Sequence, residues 1–151
     1  MRLRAPAVIL AAALTACGVF ESGPADDIAE RRRAWARLGI SDYSFDYVRS
    51  CFCGGPAGDT LRIQVRGDSV VSVENLGPRK VEIDEPYYSM WVITIDGLFA
   101  ELERAVANDA DEIDIDFDPQ YSFPRHVNID FIERAIDDEM SFRITRFQPN
   151  P

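Results

Sequence analysis

Between residues 112 and 147, apolar and polar positions alternate in three blocks. In EIDIDFD (residues 112–118), Ile113, Ile115 and Phe117 alternate with Asp114, Asp116 and Asp118. A period of two marks a strand with one apolar face and its acids turned to water. PQYSFP (119–124) supplies turn residues. RHVNIDF (125–131) sets Val127, Ile129 and Phe131 on one side, and EMSFRITRF (139–147) does the same with Met140, Phe142 and Ile144. The pattern predicts an antiparallel three-stranded meander with one apolar side that needs a cover.

The rest of the chain supplies it. A helix is expected over residues 27–38, capped by Asp26, with Ile28, Trp35 and Leu38 at helical spacing and Gly39 ending it. SDYSFDYVRSCFC (41–53) reads as a strand with Tyr43, Phe45 and Tyr47 on one face, and Gly54, Gly55, Pro56 and Gly58 force a loop after it. LRIQV and VVSVEN flank Arg66-Gly67-Asp68-Ser69 as a hairpin. That tripeptide matches an integrin-binding motif, but its residues suit a turn and need no other reason. Residues 77–91 are the least regular part, a linker or a strand and loop crossing the sheet. Thr94 then caps a second helix, with Ile95, Leu98, Phe99, Leu102 and Val106 on one stripe.

Helix and three strands, twice over, predict an α+β fold: one antiparallel sheet of about six strands with two helices on one face. The expected core includes Trp35, Phe99, Leu102, Ile115, Phe117, Ile129 and Phe142. The tandem order resembles, in topology alone, the β-lactamase-inhibitor protein and similar bacterial modules.

The N-terminus changes the picture of where the protein works. Arg2 and Arg4 precede an apolar run over residues 5–13, too short for a membrane span of about 20 residues. With Leu14-Thr15-Ala16-Cys17 following, this reads as a secretory signal. The tetrapeptide resembles the bacterial lipobox, which implies cleavage before Cys17 and acyl chains on that cysteine. Gly18 stands where an inner-membrane retention signal would place Asp, which favours the outer membrane. The expected division is a lipoprotein signal peptide at 1–16, a tether at 17–26 and one domain at 27–151. The mature chain would carry 14 basic against 26 acidic residues, a net charge of −12. Such acidity argues against nucleic acid and against electrostatic docking on anionic lipid.

Candidate chemistry is sparse. Cys51 and Cys53 would sit in an oxidising compartment, where two remaining cysteines usually pair. Residues two apart in a regular strand lie about 6.6 Å apart, near the upper limit for a disulfide, so pairing requires a kink at Phe52. A local clip is the simplest reading, with redox or metal work as the alternative. A thiolate metal site would want more ligands, and His126, the one histidine, has the parity of a solvent face. No metal and no cofactor is expected. The acids Asp109, Asp111, Glu112, Asp114, Asp116 and Asp118 invite calcium, but an EF-hand loop counted from Asp109 would place Ile113 and Asp114 at its fifth and sixth positions, so the motif fails.

YSFDYVRSCFC (43–53), DGLFAELERA (96–105), FDPQYSFPRHVNID (117–130) and DDEMSFRITRF (137–147) together resemble the small bacterial lipoproteins known as domain of unknown function 6174. Ser122 stands where that pattern has glycine. The resemblance implies a fold and an envelope location, and no mechanism. The expectation is a lipid-anchored envelope protein, held to the membrane through acyl chains on Cys17, that binds a protein partner with a sheet face. The alternative is a hydrolase using paired carboxylates.

Overall fold

The computed structural model describes residues 23–78 and 88–150, without side-chain detail at 88 and 89. Helix α1 (Pro24–Arg37) leads into β1 (Tyr43–Cys51), β2 (Thr60–Arg66) and β3 (Ser69–Asn75). A single turn, α2 (Tyr88–Trp91), precedes α3 (Ile95–Ala107), β4 (Glu112–Phe117), β5 (Pro124–Asp130) and β6 (Met140–Pro149). The strands form one antiparallel sheet in the order β3-β2-β1-β6-β5-β4. The first strand of one helix-plus-three-strand unit thus pairs with the last strand of the other, and the predicted α+β architecture stands.

Both long helices cover the same face. Trp35 of α1 meets Tyr43 of β1 at 5.5 Å and Phe147 of β6 at 5.7 Å between ring centres. From α3, Phe99 stacks on Phe117 of β4, and the Ile95 N–H donates to the Tyr43 hydroxyl at 3.0 Å. The covered face gathers Tyr43, Phe45, Tyr47, Leu61, Ile63, Val127, Ile129, Phe142 and Ile144, all buried. Burying a side chain of this size stabilises by about 1.5–3 kcal/mol, so the core is spread over both units.

Three bulges correct the parity of the strands. Asp46 pairs with Arg146 but Tyr47 pairs with Ile144, which leaves Thr145 as the extra residue of β6. One added residue switches the inward parity. Phe147 therefore points into the core although it is out of step with Phe142 and Ile144. Val71 of β3 and Arg125 of β5 are extra residues in the same way. Val71 is accordingly exposed.

Several expectations need correction. α1 begins at Pro24 with Gly23 as its N-cap, so residues 24–26 belong to the helix and not to a tether. Proline at the first helical position has the right φ and loses no needed donor. Asp26 is not the cap; with Asp27 it lies in the first turn, where the helix dipole favours negative charge. Trp35, Phe99, Leu102, Ile129 and Phe142 are buried as expected, but Ile115 and Phe117 are only half-buried. Their register is right, since Asp114 and Asp116 are exposed; among the described residues β4 is an edge strand with a neighbour on one side alone. Residues 88–91 form a helical turn rather than a strand, and 79–87 lie outside the described residues.

Candidate functional site

The helix-free face of the sheet is built from the alternate positions of the same strands. Across it run rows set by register. Asp116, His126, Arg143 and Val48 stand side by side from β4 to β1, and Asp114, Asn128, Ser141 and Ser50 form the next row. Asp46 of β1 accepts two bonds from Arg62 of β2, at 2.8 and 3.0 Å, and this hydrogen bonding raises the guanidinium pKa further. At the Cys51 end the face dips into a cavity of about 500 Å³, lined among others by Glu112, Asp114, Asn128, Asp130, Asp137 and Glu139. No lysine or arginine is among its described lining residues.

Beneath the same end, on the helix side, lies a buried charge. Arg49 shares the inward parity of Tyr43, Phe45 and Tyr47 and is 1% exposed. It donates to Glu101 of α3, at 2.8 Å from Nη1 and again from Nη2, and to the Tyr47 hydroxyl through Nε. Burial works against the charge, but Tyr47 and Glu101 outweigh it and the guanidinium pKa is raised. The Tyr47 and Tyr43 phenols are pushed up well beyond their ordinary range, chiefly by burial. A half-buried carboxylate, Asp138, has both oxygens out of solvent with no hydrogen-bond partner among the described residues.

Cys51 and Cys53 are joined by a disulfide with 5.2 Å between their Cα atoms. The strand bends to allow it. β1 ends at Cys51, and Phe52 turns out to solvent at 79% exposure. Both cysteines are half-buried against the core edge. The following loop is held down at Gly55, which lies so close to the buried Trp91 that a Cβ would come within 2.9 Å of the indole nitrogen. A positive φ of 79° at Gly55 also favours glycine.

The remaining candidates are dispersed. His126 is half-buried on the helix-free face between Asp116 and Arg143, as its parity predicts. Of the acidic run, Asp111 accepts from the Glu133 N–H, and Asp118 accepts from Gln120 and Tyr121 in the turn before β5. Among the described residues no group of three metal-binding side chains converges. Gly67 and Asp68 make the two-residue hairpin turn between Arg66 and Ser69, both with positive φ, and Asp42 accepts from the Gly67 N–H at 2.8 Å. That bond, more than any other contact, lowers the Asp42 pKa. A carboxylate general acid needs the opposite shift. Cys17 lies outside the described residues. Arg49, Glu101 and Asp138 were missed at the sequence level; the inward parity of Arg49 was the signal that could have found the pair.

A six-stranded antiparallel sheet with two helices on one face, a buried Arg–Glu pair and a Cys-x-Cys disulfide at one end defines an α+β domain of distinctive build. The chain belongs to the family of unknown function DUF6174, which matches residues 27–149. A search of curated proteins finds no match.

Proposed function

We propose that the protein is a lipid-anchored module of the bacterial envelope that presents the helix-free face of its sheet to a partner protein. The observation that carries this reading is the order of charge on that face. Glu112, Asp114 and Asp116 occupy the β4 edge, exposed, while Arg143 and Arg146 on β6, also exposed, mark the middle. An edge of one sign beside a band of the other orients an approaching charged partner and fixes its register. The anchor rests on the Leu14-Thr15-Ala16-Cys17 sequence.

Two measurements test the reading. A photo-crosslinking residue at Asn128, on the helix-free face, is expected to capture a partner in intact cells, and one at Arg33 of α1 is not. Equal capture from both positions, or none from Asn128, overturns the docking claim. Cys17→Ser is expected to leave the domain folded and shift it from membrane to soluble fractions. Unchanged membrane association overturns the anchor.

A further inference from the structure

We propose that Cys51–Cys53 is an exchangeable disulfide that reacts with cationic thiols or with thiols carried on basic surfaces of exported proteins. The inference rests on the reading that the protein is exported, but not on the sheet-face docking.

A clip should tie down something that is otherwise loose, and this one does not. The loop after β1 is closed by the Gly58 N–H donating to the Arg49 carbonyl at 2.8 Å and the Asp59 N–H to the Pro56 carbonyl at 2.8 Å. Gly55 sits against Trp91, and Pro56 is buried. Cross-linking residues only two apart removes little chain entropy, because that term grows with the length of the closed loop. The bond therefore adds little to a loop already fixed at both ends, and what remains is its chemistry.

Access is open from two sides. Cys51 lines the 500 Å³ cavity on the helix-free face, and both cysteines line a second cavity of about 310 Å³ on the helix side. Exposed disulfides are the labile ones. Because Cys53 lies beyond the last paired residue of β1, releasing it breaks no sheet hydrogen bond. The charged groups facing the second cavity are Arg49, Arg104, Glu101, Asp137, Asp138 and Glu139, four carboxylates against two guanidiniums among the described residues. One guanidinium is already committed to Glu101. The Asp138 oxygens are out of solvent, so the carboxylates that an incoming cation meets are those of Asp137 and Glu139, both exposed.

A thiolate of the partner attacks Cys53 Sγ, an S–S bond forms, the Cys51–Cys53 bond breaks, and Cys51 leaves as a thiolate that takes a proton from water. A second partner thiolate attacks the mixed disulfide and releases the Cys53 thiolate. The partner dithiol is oxidised to a disulfide by two electrons, and Cys51–Cys53 is reduced.

The test uses the exported, folded protein without denaturant. Cysteamine (cationic) and 2-mercaptoethanesulfonate (anionic) are each reacted at low salt, reduction is followed by thiol labelling and mass, and each rate is divided by that reagent's rate toward a small uncharged disulfide. Cysteamine is expected to react about tenfold faster after this correction, the preference falling to within about twofold in 1 M salt, where the screening length is about 3 Å. In Asp137→Asn/Glu139→Gln, both exposed, the preference is expected to drop about threefold. Normalised rates within twofold of each other at low salt, a preference that survives 1 M salt, or a disulfide that neither reagent reduces in the folded protein each overturn the proposal.

Discussion

At the Tyr43 end of the sheet, Trp35 meets Tyr43, Phe123 and Phe147 edge-on, at ring separations between 5.5 and 6.1 Å. At the other end of β1 the same covered face holds Arg49, paired with Glu101, and then a disulfide between two cavities. The first end is closed by aromatic packing, with Tyr121 joining at 4.8 Å from Phe147. The second is closed by charge and a covalent bond, and an exposed phenylalanine marks it. Aromatic packing is insensitive to ions and redox state, whereas a buried ion pair and an accessible disulfide respond to both. The contrast locates stability at one end and adjustable chemistry at the other.

Removing Trp35 should break the aromatic end. Trp35→Ala deletes a 3% exposed side chain with three ring partners and is expected to cost about 4 kcal/mol. Phe52→Ala, at the opposite end and 79% exposed, is expected to fall within about 0.5 kcal/mol of the parent. Denaturant unfolding of both variants checks the pair. Similar costs at the two sites would erase the contrast.

A further pair of variants probes the charged end. Arg49→Ala strands Glu101, which is 18% exposed in its side chain, and is expected to cost about 3 kcal/mol. Arg49→Met/Glu101→Met replaces both charges by packing groups and is expected to recover most of that loss. A double variant less stable than the single one would mean that the ion pair itself contributes the stability.

How much of this was legible in the sequence follows from what each pattern can encode. Alternation placed β4, β5 and β6, because a half-buried sheet forces a period of two whatever the neighbours are, while aromatic content marked β1 and the turn between them marked β2 and β3. Alternation could not place Phe147, since the extra residue Thr145 is set by the partner strand and leaves no local mark. β4 was expected to bury Ile115 and Phe117 fully; periodicity gives a face but not whether the strand is at an edge. Arg49 had the parity of the core, yet its charge argued for solvent, and the side chain that resolves the conflict lies 52 residues away on α3. The pairing of Cys51 with Cys53 was readable as one of two options from spacing and compartment. Its acidic surroundings were not, because Asp137, Asp138 and Glu139 reach it from a loop whose course no periodicity fixes.

Two phenols tie both ends to pH. Tyr43 and Tyr47 have pKa values raised chiefly by burial. Each folded-state phenol holds its proton above the unfolded value of about 10, so the stabilisation is fully present below that pH and falls as pH rises above it. Each should contribute a loss of about 1.4 kcal/mol per pH unit in that window. Tyr43→Phe and Tyr47→Phe are each expected to flatten the slope of stability between pH 10 and 11.5 by about that amount. Tyr47→Phe also removes the acceptor for the Arg49 Nε–H, and Tyr43→Phe the acceptor for the Ile95 N–H, so both should lower stability at pH 7. A variant as stable as the parent at pH 7 would mean that the hydrogen bond its phenol accepts contributes nothing.

The smallest effect belongs to the turn that delivers Phe123 into the aromatic end. Ser122 has φ of 63°, a left-handed conformation that costs an L-residue about 1–2 kcal/mol. The turn holds it there: the Ser122 N–H donates to the Asp118 carbonyl at 2.8 Å, and the Phe123 carbonyl accepts from the Asp118 N–H at 2.8 Å. The Asp118 side chain adds bonds from the Gln120 and Tyr121 N–H groups. Glycine at 122 removes the steric cost but adds freedom to the unfolded chain, which offsets part of the gain. Ser122→Gly is therefore expected to stabilise by about 0.5–1 kcal/mol, read as a rise in the denaturant midpoint at unchanged slope. Ser122→Val, with a branched Cβ in the same conformation, should destabilise by more than that. A glycine variant no more stable than the parent would show that the Asp118 bonds already absorb the strain, and that the aromatic end is anchored by its turn as firmly as by its rings.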